Sequence, residues 1–168
     1  LIKLHLYCSA FFAAGIVLVA VSGGLYLIGI KGTIEQTLVG TLTTGQQLSQ
    51  DPSETNVQAA LASLSVADFE FEYVKRKGSQ LITRPTTRAF YTLDISGDKA
   101  VVHYNEPSLQ KRMIELHMGH GPTAYKTYQK VFAAGMLFII LTGLWLGLSS
   151  ARLRFSTSVI SGAGVLLF

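Results

Sequence analysis

Two stretches of this sequence run without a charge for longer than most soluble folds can bury. Leu6 to Ile30 reads LYCSAFFAAGIVLVAVSGGLYLIGI, 25 residues, and Val131 to Ser149 reads VFAAGMLFIILTGLWLGLS, 19 residues. About 20 residues of α-helix cross the hydrocarbon of a bilayer, so both blocks are expected to be membrane-spanning helices, antiparallel to one another. A cleavable signal sequence has a shorter apolar region and then a small-residue cleavage site. The first block is longer, studded with glycine and echoed downstream, and it is expected to remain on the chain. Phe155 to Phe168, FSTSVISGAGVLLF, is apolar over only 14 residues. It reads as the start of a third spanning helix, and with no initiator methionine the sequence is expected to be part of a longer chain.

The echo is specific. FAAGIVLVAVSG runs from Phe12 to Gly23 and FAAGMLFIILTG from Phe132 to Gly143, a constant 120 residues apart. Within each copy a glycine and a hydroxyl residue stand seven apart, Gly15 with Ser22 and Gly135 with Thr142, and so fall on one side of a helix. Small side chains let backbones approach closely in lipid, where packing drives helix association. Gly15, Ser22, Gly23, Gly135, Thr142 and Gly143 are therefore the candidate helix-packing residues.

The formal net charge of +4 does not point to nucleic acid, because its distribution is wrong for that. All ten acids lie between Glu35 and Glu115, among many of the bases, while Lys3, Lys126, Lys130, Arg152 and Arg154 sit beside the apolar blocks. Cations there anchor to head groups, which makes the bilayer the partner and leaves no nucleic-acid surface. Lys3, Arg152 and Arg154 on one side nearly balance Lys31, Lys126 and Lys130 on the other. Long hydrophilic loops translocate largely regardless of charge, so the segment between the helices is expected outside the cytoplasm. The single cysteine, Cys8, excludes an intrachain disulfide.

Residues 1–30 thus form the first helix, 31–112 a small α+β domain, 113–130 an amphipathic re-entry segment, 131–149 the second helix, and 155–168 the start of a third. Inside the domain, Asp51-Pro52-Ser53-Glu54 places an acceptor, a proline and a glutamate as a helix start, with Asp51 at the N-cap. A helix to Leu64 follows, with Val57, Ala60, Leu61 and Leu64 on its apolar side. In DFEFEYV the period becomes two, with Phe69, Phe71 and Tyr73 on one face of a strand. RAFYTLDI and KAVVHYN form a hairpin around Ser96-Gly97-Asp98, and Lys75-Arg76-Lys77 beside Gly78 reads as a solvated hairpin end. A domain of about 80 residues buries a modest core and is expected to lean on the membrane part or on a partner.

The order of these features resembles the PepSY-associated transmembrane family. The resemblance rests on KLHLYCSAFFAAGIVLVAVSGGLYL at the start, the helix-plus-strands domain, and ELHMGHGPTAYKTYQKVFAAGMLFIILTGLWL at the return. The recurring pieces are Leu4-His5, Leu116-His117-Met118-Gly119, Ser22-Gly23 and Thr142-Gly143. It implies a multi-pass protein of the bacterial inner membrane, with two complete antiparallel spanning helices, a partial third, and a PepSY-like α+β domain in the periplasm. Longer members are similar to haem-binding reductases of siderophore iron or accompany respiratory and flavin-linked systems. Two complete spans are too few for an autonomous multi-haem reductase.

Four histidines are the conspicuous candidates for chemistry. His103 alternates with Ala100, Val102 and Tyr104 and is read as facing water. His5 stands at the mouth of the first helix on the side of Cys8, Gly15, Ser22 and Gly29; it is either an interfacial anchor or an axial haem ligand, which requires a neutral imidazole aimed into a bundle. His117 and the weaker candidate His120, three apart, are expected to share a helix side, a spacing compatible with metal and equally with a surface pair. His5 precedes its FAAG by seven residues and His117 by fifteen. On antiparallel helices that places them near opposite faces of a core about 30 Å thick, unable to share one haem. No nucleophile motif, phosphate loop or paired carboxylate is present, and Tyr125, Tyr128 and Trp145 read as belt and packing aromatics.

Three functions follow as expectations. The first is a non-catalytic accessory subunit of a respiratory or other electron-transfer complex, with other membrane subunits or a second copy as partners. The second is a b-haem electron carrier related to iron reductases, in which His5 and His117 bind haem together with partner helices. The third, suggested by the domain name alone, is an envelope sensor or peptidase-inhibitor-like protein.

Overall fold

The computed structural model describes residues 1–66 and 68–167. The chain divides into two units, one of residues 1–17 with 127 onward and the other Leu18–Lys126. Among the described residues, helix α1 (Ile2–Leu27) and helix α5 (Thr123–Ser149) are the two elements long and apolar enough to cross a membrane, at 26 and 27 residues. In lipid every backbone polar group must be satisfied within the segment, and uninterrupted proline-free helices do this.

In the first unit, α5 and the start of α1 pack through the repeated phrase. A Cβ on Gly15 would come within 2.7 Å of the Phe132 ring, and one on Gly135 would overlap the Phe12 ring. Each phenylalanine thus lies over the glycine of the other helix, which makes the helices antiparallel at this point. The two rings meet edge to face with centroids 5.8 Å apart. The remaining surface is apolar and uncovered, with Phe11 at 72% and Leu141 and Trp145 at 65% exposure, as lipid-facing side chains require. After a turn at residues 150–153 the chain forms α6 (Arg154–Leu166), whose Thr157 packs on Gly147. Its 13 residues rise about 20 Å, short of a full crossing. Phe168, the last residue of the expected third segment, lies outside the described residues.

The second unit is an antiparallel sheet in the order β1-β5-β4-β3-β2. The strands are β1 (Ile34–Leu42), β2 (Tyr73–Lys77), β3 (Gln80–Arg84), β4 (Phe90–Asp94) and β5 (Ala100–Pro107), with helices α2 (Gly45–Gln50), α3 (Glu54–Ala62) and α4 (Leu109–His117). Leu48, Val57 and Leu61 from α2 and α3 bury themselves against Leu81, Leu93, Ala100 and Val102 of the sheet to form the core.

The hairpin around Ser96-Gly97-Asp98 is β4–β5, with Asp94 opposite Val101. Lys75-Arg76-Lys77 ends the β2–β3 hairpin, exposed, with Gly78 at φ +59° in its turn. His103 is half-buried, paired with Leu38 on one side and Thr92 on the other.

Three details depart from the sequence reading. The N-cap of α3 is Ser53, whose hydroxyl accepts from the Asn56 amide, because Asp51 is drawn to the Asn56 side chain instead (2.8 Å). The ladder of β2 begins only at Tyr73, since Phe69 leaves the sheet edge to meet Tyr91 edge to face at 4.6 Å. Strand β1 is new. It pairs with β5 over its length, with a bulge between Leu38 and Gly40, and Gly40 leaves room for the Leu64 side chain.

This pairing decides where the membrane-flanking segments emerge. Ile34 lies opposite Pro107, so the chain enters and leaves the sheet at one end of neighbouring strands. Ser108 closes the junction: its amide donates to the Thr33 carbonyl (2.9 Å) and its hydroxyl accepts from the Thr33 amide (3.1 Å). The same hydroxyl caps α4.

Replacing Gly135 by Ala should destabilise the protein by about 1–3 kcal/mol through overpacking on Phe12. Gly24→Ala, where an added Cβ meets nothing within 4 Å, serves as the control. Thermal denaturation in mild detergent checks this, and equal midpoints for the two variants would count against the packing.

Candidate functional site

Two histidines are held in the same way by residues of the repeated phrase. In the first unit, the His5 Nδ1 lies 2.8 Å from Thr142 Oγ1. That hydroxyl donates to the Phe138 carbonyl one turn back in its own helix (2.7 Å). With its proton directed there, the hydroxyl turns its oxygen lone pairs toward Nδ1. Gly143 makes room for the ring, since a Cβ there would sit 3.3 Å from His5 Cε1.

The second unit repeats the arrangement at the end of α1. His117 Nδ1 lies 3.0 Å from Ser22 Oγ, which donates to the Val19 carbonyl (3.3 Å). A Cβ on Gly23 would stand 3.5 Å from His117 Cε1. Ser22 is 1% exposed, whereas His117 itself is exposed at the edge of an open, largely apolar groove of about 440 Å³. Tyr26, Ile114 and Met118 also line it.

The six candidate packing residues therefore separate into two kinds. Gly15 and Gly135 receive phenylalanine rings, while Ser22-Gly23 and Thr142-Gly143 each seat an imidazole.

His120 does not join His117. Helix α4 ends at His117, and Gly119 at φ +77° reverses the chain, so the two histidines do not share a helix side. The His120 amide donates to the Glu115 carbonyl (2.9 Å), and its Nδ1 donates to Glu115 Oε2 (2.6 Å). Glu115 is a buried hub. It also accepts from Thr86 Oγ1 at 2.6 Å and pairs with Lys111 Nζ at 2.9 Å, and Arg84, which donates to Thr86, stands 3.8 Å away.

Burial pushes the Glu115 carboxyl up, but the bonds from Thr86, Lys111 and His120 outweigh it and hold the group below its ordinary value. Glu72 is likewise lowered by the Thr123 hydroxyl and amide, which bond it at the start of α5. Thr86 also closes a backbone bond to the His120 carbonyl (3.2 Å), so the hub clasps the turn after α4 to the loop after β3. Nothing in the sequence spacing signals this hub, because Arg84 and Thr86 reach Glu115 only through the fold.

What the arrangement offers chemically is an imidazole beside an apolar helix, one per seat. Among the described residues there is no group of three or more His, Cys, Asp or Glu that could hold a metal ion. The seats belong to a recognisable framework: residues 2–163 match the family described as PepSY-associated TM region. The chain belongs to that family. It is accordingly a membrane protein, and the two seats lie within the matched PepSY-associated region. No curated protein and no solved structure matches the chain.

The Glu115 hub makes stability pH-dependent in a defined sense. Because its folded-state pKa lies below 4.5, the unfolded chain binds more protons near that pH. The contribution is therefore complete above 4.5 and is lost as pH falls through the lower folded value. Glu115→Gln should cost about 1–3 kcal/mol at neutral pH. It should also flatten the acid limb of a stability–pH curve measured by denaturant unfolding in detergent; parallel wild-type and variant curves would refute the assignment.

Proposed function

We propose that this PepSY-associated membrane chain is a non-catalytic subunit of an electron-transfer system, and that it contributes His5 and His117 as axial ligands to b-type haem shared with other helices. The observation that carries the reading is the His5 seat. With Nδ1 engaged by Thr142, the remaining nitrogen of a neutral imidazole is the one a haem iron takes, and the ring is half-buried on a membrane helix. Bonding of the other ring nitrogen is the usual companion of metal ligation by histidine. His117, with Nδ1 3.0 Å from Ser22 Oγ, is the second candidate ligand.

The donor set fits haem only in part, since each seat supplies one imidazole. The second ligand comes from another subunit, a second copy or a further helix, and the uncovered apolar faces around Phe11, Leu137, Leu141 and Trp145 offer room for such neighbours. When bound, haem would carry single electrons; the chain's own contribution is to hold the rings. The sheet domain is assigned to the periplasm, with Lys3, Arg152 and Arg154 on the cytoplasmic side.

A second reading is purely structural. An interhelical hydrogen bond in a membrane contributes about 0.6–2 kcal/mol, so each pair could serve only to join its helices. A reduced-minus-oxidised visible spectrum of the protein, purified with its partners from haem-replete membranes, separates the two. A b-type band that His5→Ala and His117→Ala each diminish is the expected result. Absence of any band, with both variants merely less stable, would leave the structural reading.

A further inference from the structure

We infer that Thr142 is a positioning residue that fixes the tautomer of His5 and sets its strength as an electron-pair donor. This deepens the haem reading and rests on it, although its central claim can be read without haem. A hydroxyl beside an imidazole can donate or accept, and the two choices place the ring's proton on opposite nitrogens. Here the choice is made by a third atom. The Thr142 hydroxyl has the Phe138 carbonyl at 2.7 Å and the Ile139 carbonyl at 3.2 Å, neither of which can donate to it. Giving its proton to the helix leaves the oxygen as an acceptor, so the His5 Nδ1 carries hydrogen and Nε2 the lone pair.

The identity of the acceptor matters as well as its presence. A carboxylate at the same place would draw the Nδ1 proton and give the ring imidazolate character, making it a stronger donor to iron. A hydroxyl whose own proton is engaged is a weak, neutral acceptor and leaves the imidazole neutral. A methyl group in its place would leave Nδ1–H without a partner in an apolar setting and release the tautomer. The following glycine adds clearance: a Cβ at Gly143 would lie 3.3 Å from the ring carbon between the two nitrogens, tighter than side chains ordinarily pack. The Thr142-Gly143 pair of the repeated phrase thus places an acceptor with a clearance beside it.

The test uses the full chain in detergent with its histidines labelled with nitrogen-15. In haem-free protein, His5, assigned by loss of its signals in His5→Ala, should show the Nδ1–H tautomer. Thr142→Val should move it toward Nε2–H, the form favoured by free imidazole side chains, and Thr142→Ser should restore it. In haem-loaded protein, Thr142→Val should weaken haem retention at this seat by roughly 10–100-fold and shift its reduction potential, with Thr142→Ser again restoring both. An Nε2–H tautomer in the haem-free wild type would overturn the inference whatever the spectrum shows. So would unchanged haem retention and potential in Thr142→Val. An Nδ1–H tautomer in a protein that binds no haem would instead remove the electron-transfer reading and leave the tautomer assignment in place.

Discussion

The pairing of β1 with β5 governs how the hydrophilic part of the chain serves its membrane part. A segment of this size could end anywhere relative to where it began. Placing Ile34 opposite Pro107 makes it end where it started, and the two bonds between Thr33 and Ser108 hold the junction. Helix α4 starts directly after that junction, capped by the same Ser108, and its last residue is His117. Delivery of that imidazole to Ser22, near the end of α1, therefore depends on a strand register set at the opposite end of α4. The Glu115 hub fixes the rest of the path by clasping the turn beyond α4 to the loop after β3.

Polar groups in apolar surroundings are treated in two ways. Around Glu115, a charge is surrounded by donors until its burial is offset, and the result is rigid and closed. In the imidazole seats, a hydroxyl meets the Nδ1 of each ring, and His117 stays exposed at its groove. The first arrangement joins segments, and the second presents a group. His120 shows how close the two lie in sequence: three residues from His117, it is committed to the hub because Gly119 turns the chain.

Much of the architecture was legible in one dimension. Uninterrupted absence of charge marks the helices, because no other constraint on a chain demands it for so long. The β4–β5 hairpin is visible because Ser96-Gly97-Asp98 separates two alternating runs. Strand β1 is not, since Ile34-Glu35-Gln36-Thr37-Leu38 is exposed on both faces at the sheet edge and has no need to alternate. Phe69 and Phe71 alternate correctly, yet ring packing on Tyr91 takes Phe69 away from the ladder. The His5 seat follows from the repeated phrase itself: the antiparallel register that lays Phe12 on Gly135 also brings residue 5 level with residue 142. The His117 seat does not, because the turn after α4 breaks that register. Ser22 and Thr142 read in the sequence as small residues for packing, and their place beside the imidazoles emerges only once the fold brings the rings to them.

The bulge and pairing of β1 carry a mechanical consequence. Because Ile34 to Leu38 is exposed on both faces, burial does not set the register of this part of β1, and the bulge and the two bonds between Thr33 and Ser108 hold it instead. A slip of even one residue is about 3.4 Å of travel. A hydrogen bond of 3.0 Å cannot stretch across such a step. The junction at Thr33 and Ser108 is therefore also a spacer: a slip of the first strand that carried α4 with it would part His117 from Ser22 at the far end of that helix.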